Sequence, residues 1–140
     1  MSDSILVPYD GSAPSKDALE YAFEKFPDAD VTALYVVPAP EGYWGAFDDT
    51  TEVTPDDEAQ DRGQTILDEA AQRAAEHDRE IETEVATGEP DREIVEFAED
   101  HGADTIVIGS HGREGVSRVL LGSVAETVVR RSPIPVAVVR

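Results

Sequence analysis

Cysteine is absent from the 140 residues, so the chain has no disulfide framework and no thiolate metal site. Lysine is scarce: Lys16 and Lys25 stand alone, and the other nine of the 11 basic residues are arginines. No apolar run approaches the roughly 20 residues of a membrane span. The opening Met1-Ser2-Asp3-Ser4 lacks the basic start of a secretory signal. These absences predict a soluble, cytoplasmic protein with no membrane partner. A length of 140 residues predicts one domain, residues 1–140, large enough to bury about two thirds of its unfolded surface without staples.

Acid is what the chain has in excess. Against 11 Lys and Arg stand 31 Asp and Glu, a net charge of −20. Such a charge argues against a nucleic-acid partner. It also strains a compact domain in dilute buffer. At about 1 M salt the Debye length is roughly 3 Å, and most of that repulsion is screened. The charge therefore predicts a halophilic protein. The acid is unevenly spread. Residues 1–109 carry six bases and 29 acids, or −23, whereas residues 110–140 carry five bases and two acids, or +3. The C-terminal segment is spared, as a site for a polyanion requires; a dimer face would shed charge too.

Ser4-Ile5-Leu6-Val7-Pro8 reads as a buried strand. Asp10-Gly11-Ser12 is a turn with Ser12 as helix N-cap, and Ala18, Leu19, Ala22, Phe23 and Phe26 mark the apolar face of the helix, which Pro27 stops. Val31–Val37 is a second strand. Residues 38–55 form a long loop with Tyr43, Trp44 and Phe47, either a lid or partner surface or a loop pinned by its own aromatics. A helix from Asp56 to about His77 follows, with Ile66, Leu67, Ala70, Ala71 and Ala74 as its buried stripe. Ile81–Ala86 alternates like an edge strand. Pro90 opens a third helix, and His101-Gly102 closes it. Then come a strand at 104–109, a helix at about 123–131 and a last strand, Pro135–Val139.

Alternating strands and helices imply a mostly parallel sheet with helices on both faces. Ligands of such sheets sit beyond the strand C-termini, where strand order reverses. Asp10 and Gly109 are the polar, glycine-flanked ends of the first and fourth strands, so the crevice is expected between them. After the fourth strand the chain reads Gly109-Ser110-His111-Gly112, nine further residues, then Gly122-Ser123 and a helix. Glycines let a backbone approach a ligand, and the free amides of a helix start suit an anion.

This pattern, Gly-x2-Gly-x9-Gly-Ser over Gly109, Gly112, Gly122 and Ser123, resembles the nucleotide signature of the universal stress protein family, ATP-binding branch. ILVPYDGSAPSKDAL, GEPDREIVEFAEDHGADTIVIGSHG and SPIPVAVV resemble other family segments, so the likeness spans the chain outside the 38–55 loop. It implies a five-stranded parallel sheet in the order 3-2-1-4-5, similar to the adenine nucleotide alpha hydrolases. It implies ATP as the bound cofactor, with Mg²⁺ on its phosphates, and a homodimer through the C-terminal strand. By the same resemblance, Asp10 lies near ribose and adenine, with Pro8 and Tyr9 lining that end and the Val36 backbone reading the adenine edge. Gly109 and Gly112 lie near ribose and phosphates, with Ser110, His111 and Arg113 in the loop between. Gly122, Ser123 and Val124 hold the phosphate tail.

Plainer readings stand beside these. Ser123-Val124-Ala125-Glu126 is a capping box, and Glu126 puts a carboxylate where it would compete with phosphate. Asp10-Gly11 is an ordinary turn pair. His111 either touches phosphate or faces water. Arg113 and Arg118 balance either phosphate or neighbouring acids. The reading adopted is an ATP-binding regulatory protein of the stress response, with AMP or another adenylate as other possible residents. The alternatives are a dimeric interaction module without nucleotide, and a slow ATP hydrolase or autophosphorylating protein. No P-loop lysine is present, and Asp10-Gly11-Ser12 is not the Ser-Gly-Gly-x-Asp-Ser loop of ATP pyrophosphatases.

The charge alone makes a prediction. The melting temperature should rise as KCl is taken from about 0.05 M to molar concentrations, followed by circular dichroism. A protein that unfolds over that range contradicts the reading of the acidic surface.

Overall fold

The computed structural model describes residues 3–38, 55–110 and 123–139. In chain order the elements are β1 (Ser4–Pro8), α1 (Ala13–Lys25), β2 (Asp30–Pro38), α2 (Pro55–Glu76), β3 (Ile81–Gly88), α3 (Pro90–Asp100), β4 (Thr105–Gly109), α4 (Ser123–Arg131) and β5 (Val136–Val139). The five strands form one parallel sheet in the order β3-β2-β1-β4-β5. That is the order and class expected, with the fold of the adenine nucleotide alpha hydrolases.

Two cores lie on the two faces. Strand side chains alternate between faces, so Ile5, Val7 and Tyr9 of the first strand segment, with Val31, Ala33 and Val107, pack under α1 and α2. Leu6, Leu34, Ile106 and Ile108 pack under α3 and α4. The central strands β1 and β4 are buried on both faces, which is why they read as unbroken apolar runs. β3 is at the edge, and its Glu82 and Glu84 face water. The helix signals also hold. Ser12 caps α1, accepting the Ser15 N–H, and Pro90 opens α3. Gly102 takes φ +68 beyond α3.

One stripe needs correction. On α2 the buried residues are Leu67, Ala70 and Ala74, with Ile66 half-buried and Gly63 buried; Ala71 is exposed. At 3.6 residues per turn Ala71 stands about 80° round the helix from Gly63, off the face. Gly63 belongs to the face because any Cβ there would run into the Tyr35 ring of β2. The 38–55 loop lies outside the described residues, save for its end positions Pro38 and Pro55.

Arg79, between α2 and β3, ties the far end of α1. Its guanidinium donates to the carbonyls of Phe23 (3.3 Å), Phe26 (3.3 Å) and Ala29 (2.8 Å) and lies 5.1 Å from the Phe23 ring centroid. Phe23 belongs to the last turn of α1, whose carbonyls a helix end leaves open, and Phe26 and Ala29 lie in the turn that leads to β2. Both described histidines make contacts within the chain. His77 Nε2 meets Glu20 Oε1 at 2.7 Å, where Glu20 also meets Arg73, and His101 stacks on Phe97 at 3.7 Å. Arg79→Ala should cost about 2–3 kcal/mol in urea unfolding, with less than half recovered by Arg79→Lys. A loss under about 0.5 kcal/mol, the range of neutral surface changes, contradicts this role.

Candidate functional site

The cleft follows from the strand pairing. β1 pairs with β4 only at Ile5–Thr105 and Leu6–Ile106. Beyond that point β1 stays with β2 as far as Pro8–Leu34, and β4 stays with β5 as far as Gly109–Val139. Each central strand follows its outer neighbour, so the sheet opens between them at their C-terminal ends. This is the point where strand order reverses.

β2 makes a ledge beside the opening. It pairs with β3 out to Pro38–Gly88, past the last β1 pair. The Leu34 carbonyl accepts the Tyr9 N–H at 2.8 Å, so Leu34 turns its polar groups toward β1. Val36, two residues on, turns its polar groups the same way. The Val36 side chain packs half-buried toward α3 and α4, which leaves its main chain as what the ledge offers. Pro8 ends β1 half-buried at the mouth.

Tyr9 departs from expectation. Its side chain is 2 % exposed and belongs to the core under α1 and α2. The phenol donates to Glu69 Oε1 at 3.1 Å. Burial, then the Glu69 charge, pushes its pKa up to about 12. The ring therefore does not line the cleft, because Tyr9 keeps the facing of Ile5 and Val7. Asp10, the next residue, is exposed at the mouth, and its Oδ1 accepts the Ser12 N–H at 3.0 Å and the Ser12 hydroxyl at 2.6 Å. Gly11 completes the turn at φ +83.

At the end of β4 the reason for glycine is visible. A Cβ on Gly109 would overlap the Pro14 carbonyl in the first turn of α1. The sequence assigns this glycine to the ligand; packing against α1 already requires it. The Ser110 N–H donates to the Val139 carbonyl at 2.9 Å, so that amide completes the β4–β5 ladder and is not offered to an anion. His111, Gly112, Arg113 and Gly122 lie outside the described residues.

α4 runs from Ser123 to Arg131, beginning where the described residues resume. Ser123 and Val124 stand in the first described turn of α4. Val124 anchors that turn by packing on the α3 and α4 side of the core. The Glu126 carboxylate turns along the helix to Arg130, at 3.5 Å. That pairing directs the carboxylate toward the C-terminal end of the helix. Among the described residues no group of three or more His, Cys, Asp or Glu could hold a metal ion. Nor is any described helix long and apolar enough to cross a membrane. Sequence reasoning took Ser12 as a plain cap and passed over Ser15. The available signal was a serine three residues before Ala18, on the apolar stripe of α1.

Residues 1–140 match the universal stress protein family over their full length. The chain belongs to that family. It is 40% identical over 146 residues to universal stress protein MJ0531 of Methanocaldococcus jannaschii, covering 97% of this chain and 81% of that one. Among solved structures it superimposes on the hypothetical protein MJ0577 with a TM-score of 0.80 at 30% identity, over 99% of this chain and 96% of the other. It superimposes on a universal stress protein in complex with cAMP with a TM-score of 0.75 at 27% identity, over 99% and 97% of the two chains.

Gly109→Ala should lower the unfolding free energy by about 1–3 kcal/mol, with or without nucleotide, because it overpacks α1 against β4. Unchanged thermal unfolding together with lost ligand affinity contradicts the packing role.

Proposed function

We propose that this universal stress protein is an ATP-binding regulatory protein whose nucleotide lies in the cleft between β1 and β4. The observation that carries this is the parting of the two central strands after Leu6–Ile106, with a helix start on one side and a carboxylate on the other. The complete signature of Gly109, Gly112, Gly122 and Ser123 supports it, as does the relative solved with cAMP. Adenine lies on the β2 ledge against the Val36 main chain, and Asp10 faces the ribose. The phosphates run to Gly112, Gly122 and the amides of Ser123 and Val124, with His111 and Arg113 beside them. Mg²⁺ travels on the phosphate oxygens, since hard cations prefer them.

A micromolar affinity corresponds to about 8 kcal/mol. One helix terminus supplies at most about 2 of that. Base burial and main-chain hydrogen bonds supply the remainder, which is why the ledge matters as much as the glycines. Residues 1–140 act as one domain, and the chain pairs with a second copy through β5. The β5 edge is Val136-Ala137-Val138-Val139 without a charge, whereas Glu82 and Glu84 guard the opposite edge.

Mg-ATP in molar KCl should raise the melting temperature, with about 2.7 kcal/mol of added stability at a hundredfold excess over Kd. AMP and cAMP titrated alongside rank the adenylates. Gly122→Val should abolish the shift while leaving the protein folded. No shift with any adenine nucleotide, or a full shift in Gly122→Val, overturns the reading.

A further inference from the structure

Apart from the Tyr9 phenol, Ser15 is the one buried residue among those described whose side chain carries a polar group, at 2 % exposure. Burying a hydroxyl is unfavourable unless it is hydrogen-bonded. Its bonds form a closed circuit with the turn that carries Asp10. The Asp10 N–H donates to Ser15 Oγ at 3.4 Å, and the Ser15 hydroxyl donates to the Ser12 carbonyl at 2.9 Å. In return the Ser15 N–H donates to Ser12 Oγ at 3.4 Å, and the Ser12 hydroxyl donates to Asp10 Oδ1 at 2.6 Å. Each serine accepts one N–H and has one proton to give. With Ser15 directed to the Ser12 carbonyl, the Ser12 proton goes to the carboxylate, at the short distance of a charge-assisted bond.

A helix cap needs only the Ser12 hydroxyl and the Ser15 N–H. The circuit does more than cap: it ties Oδ1 of the exposed Asp10 carboxylate to the same turn that Ser15 anchors. On its other side the same helix turn bears on β4, because Pro14, the neighbour of Ser15, lies against Gly109. Resting on the nucleotide reading of the cleft, we infer that Ser15 is a positioning residue that acts through Ser12 to aim the Asp10 carboxylate at the sugar hydroxyls of the ligand. A carboxylate is an acceptor only, so it favours the hydroxyl-bearing part of a nucleotide and repels the phosphates. Its fixed direction selects which way round the nucleotide enters and rewards an intact ribose.

The test is a double-mutant cycle read on two ligands. Affinities for Mg-ATP and for Mg-2′,3′-dideoxy-ATP are measured by calorimetry on the wild type, Ser15→Ala, Asp10→Ala and the double variant, in molar KCl. The wild type should prefer ATP by about tenfold or more, the worth of a charge-assisted hydrogen bond. Ser15→Ala should lose most of that preference while dideoxy-ATP binds nearly as before, and Ser15→Ala should add nothing in the Asp10→Ala background. Should Ser15→Ala fold poorly, Ser12→Gly serves instead, since glycine is a tolerable N-cap and removes the hydroxyl that reaches Asp10. A serine variant that keeps the wild-type preference, or that weakens both ligands equally, overturns the inference and leaves nucleotide binding standing. A wild type that binds neither ligand sinks the nucleotide reading itself.

Discussion

The first turn of α1 lies against the end of β4, so closely that Gly109 has no room for a side chain. That approach sets the cleft. β1 and β4 are hydrogen-bonded only as far as Leu6–Ile106, and past that point the sheet has nothing of its own to hold the two strand ends in register. The helix that leaves β1 returns across β4 and braces the gap. One short stretch, residues 10–15, carries the exposed carboxylate, the turn glycine, the N-cap and the buried serine, so a change in any of them is felt on both sides of the opening. α2 is seated by a similar close approach, with Gly63 against the Tyr35 ring.

Charge divides the molecule by purpose. Among the described residues many acids lie on exposed helix positions, and Glu82 and Glu84 face water on the β3 edge. The segment from residue 110 onward is +3, and within it Glu126 is paired with Arg130. The N-terminal part of α4 carries the positive end of its helix dipole, set in a chain whose remaining charge is negative. That contrast favours an anion at one place on a surface that otherwise repels it.

Much of this was legible in the residues. β1 and β4 read as buried because an apolar run without alternation has no solvent face, and β3 read as an edge because it alternates. Caps and stops at Ser12, Pro27, Pro90 and Gly102 are local, and local signals survive folding. The sheet order came from family likeness, since no residue encodes which strand is its neighbour. Ala71 was misassigned because a run of alanines leaves the helix phase open. The facing of Tyr9 was available from its parity with Ile5 and Val7, but a turn pair right after it hides the end of the alternation. The work done by Gly109 could not be read at all: a glycine freed for a ligand and a glycine pressed by a helix look alike in sequence.

The most direct measurement is a structure of the crystallised protein grown in molar salt with excess Mg-ATP. The account predicts the base on the β2 extension at Val36, the ribose at Asp10 and the phosphates at the amides of Ser123 and Val124. A cleft between β1 and β4 filled by the protein's own side chains, or a nucleotide bound elsewhere, would contradict it.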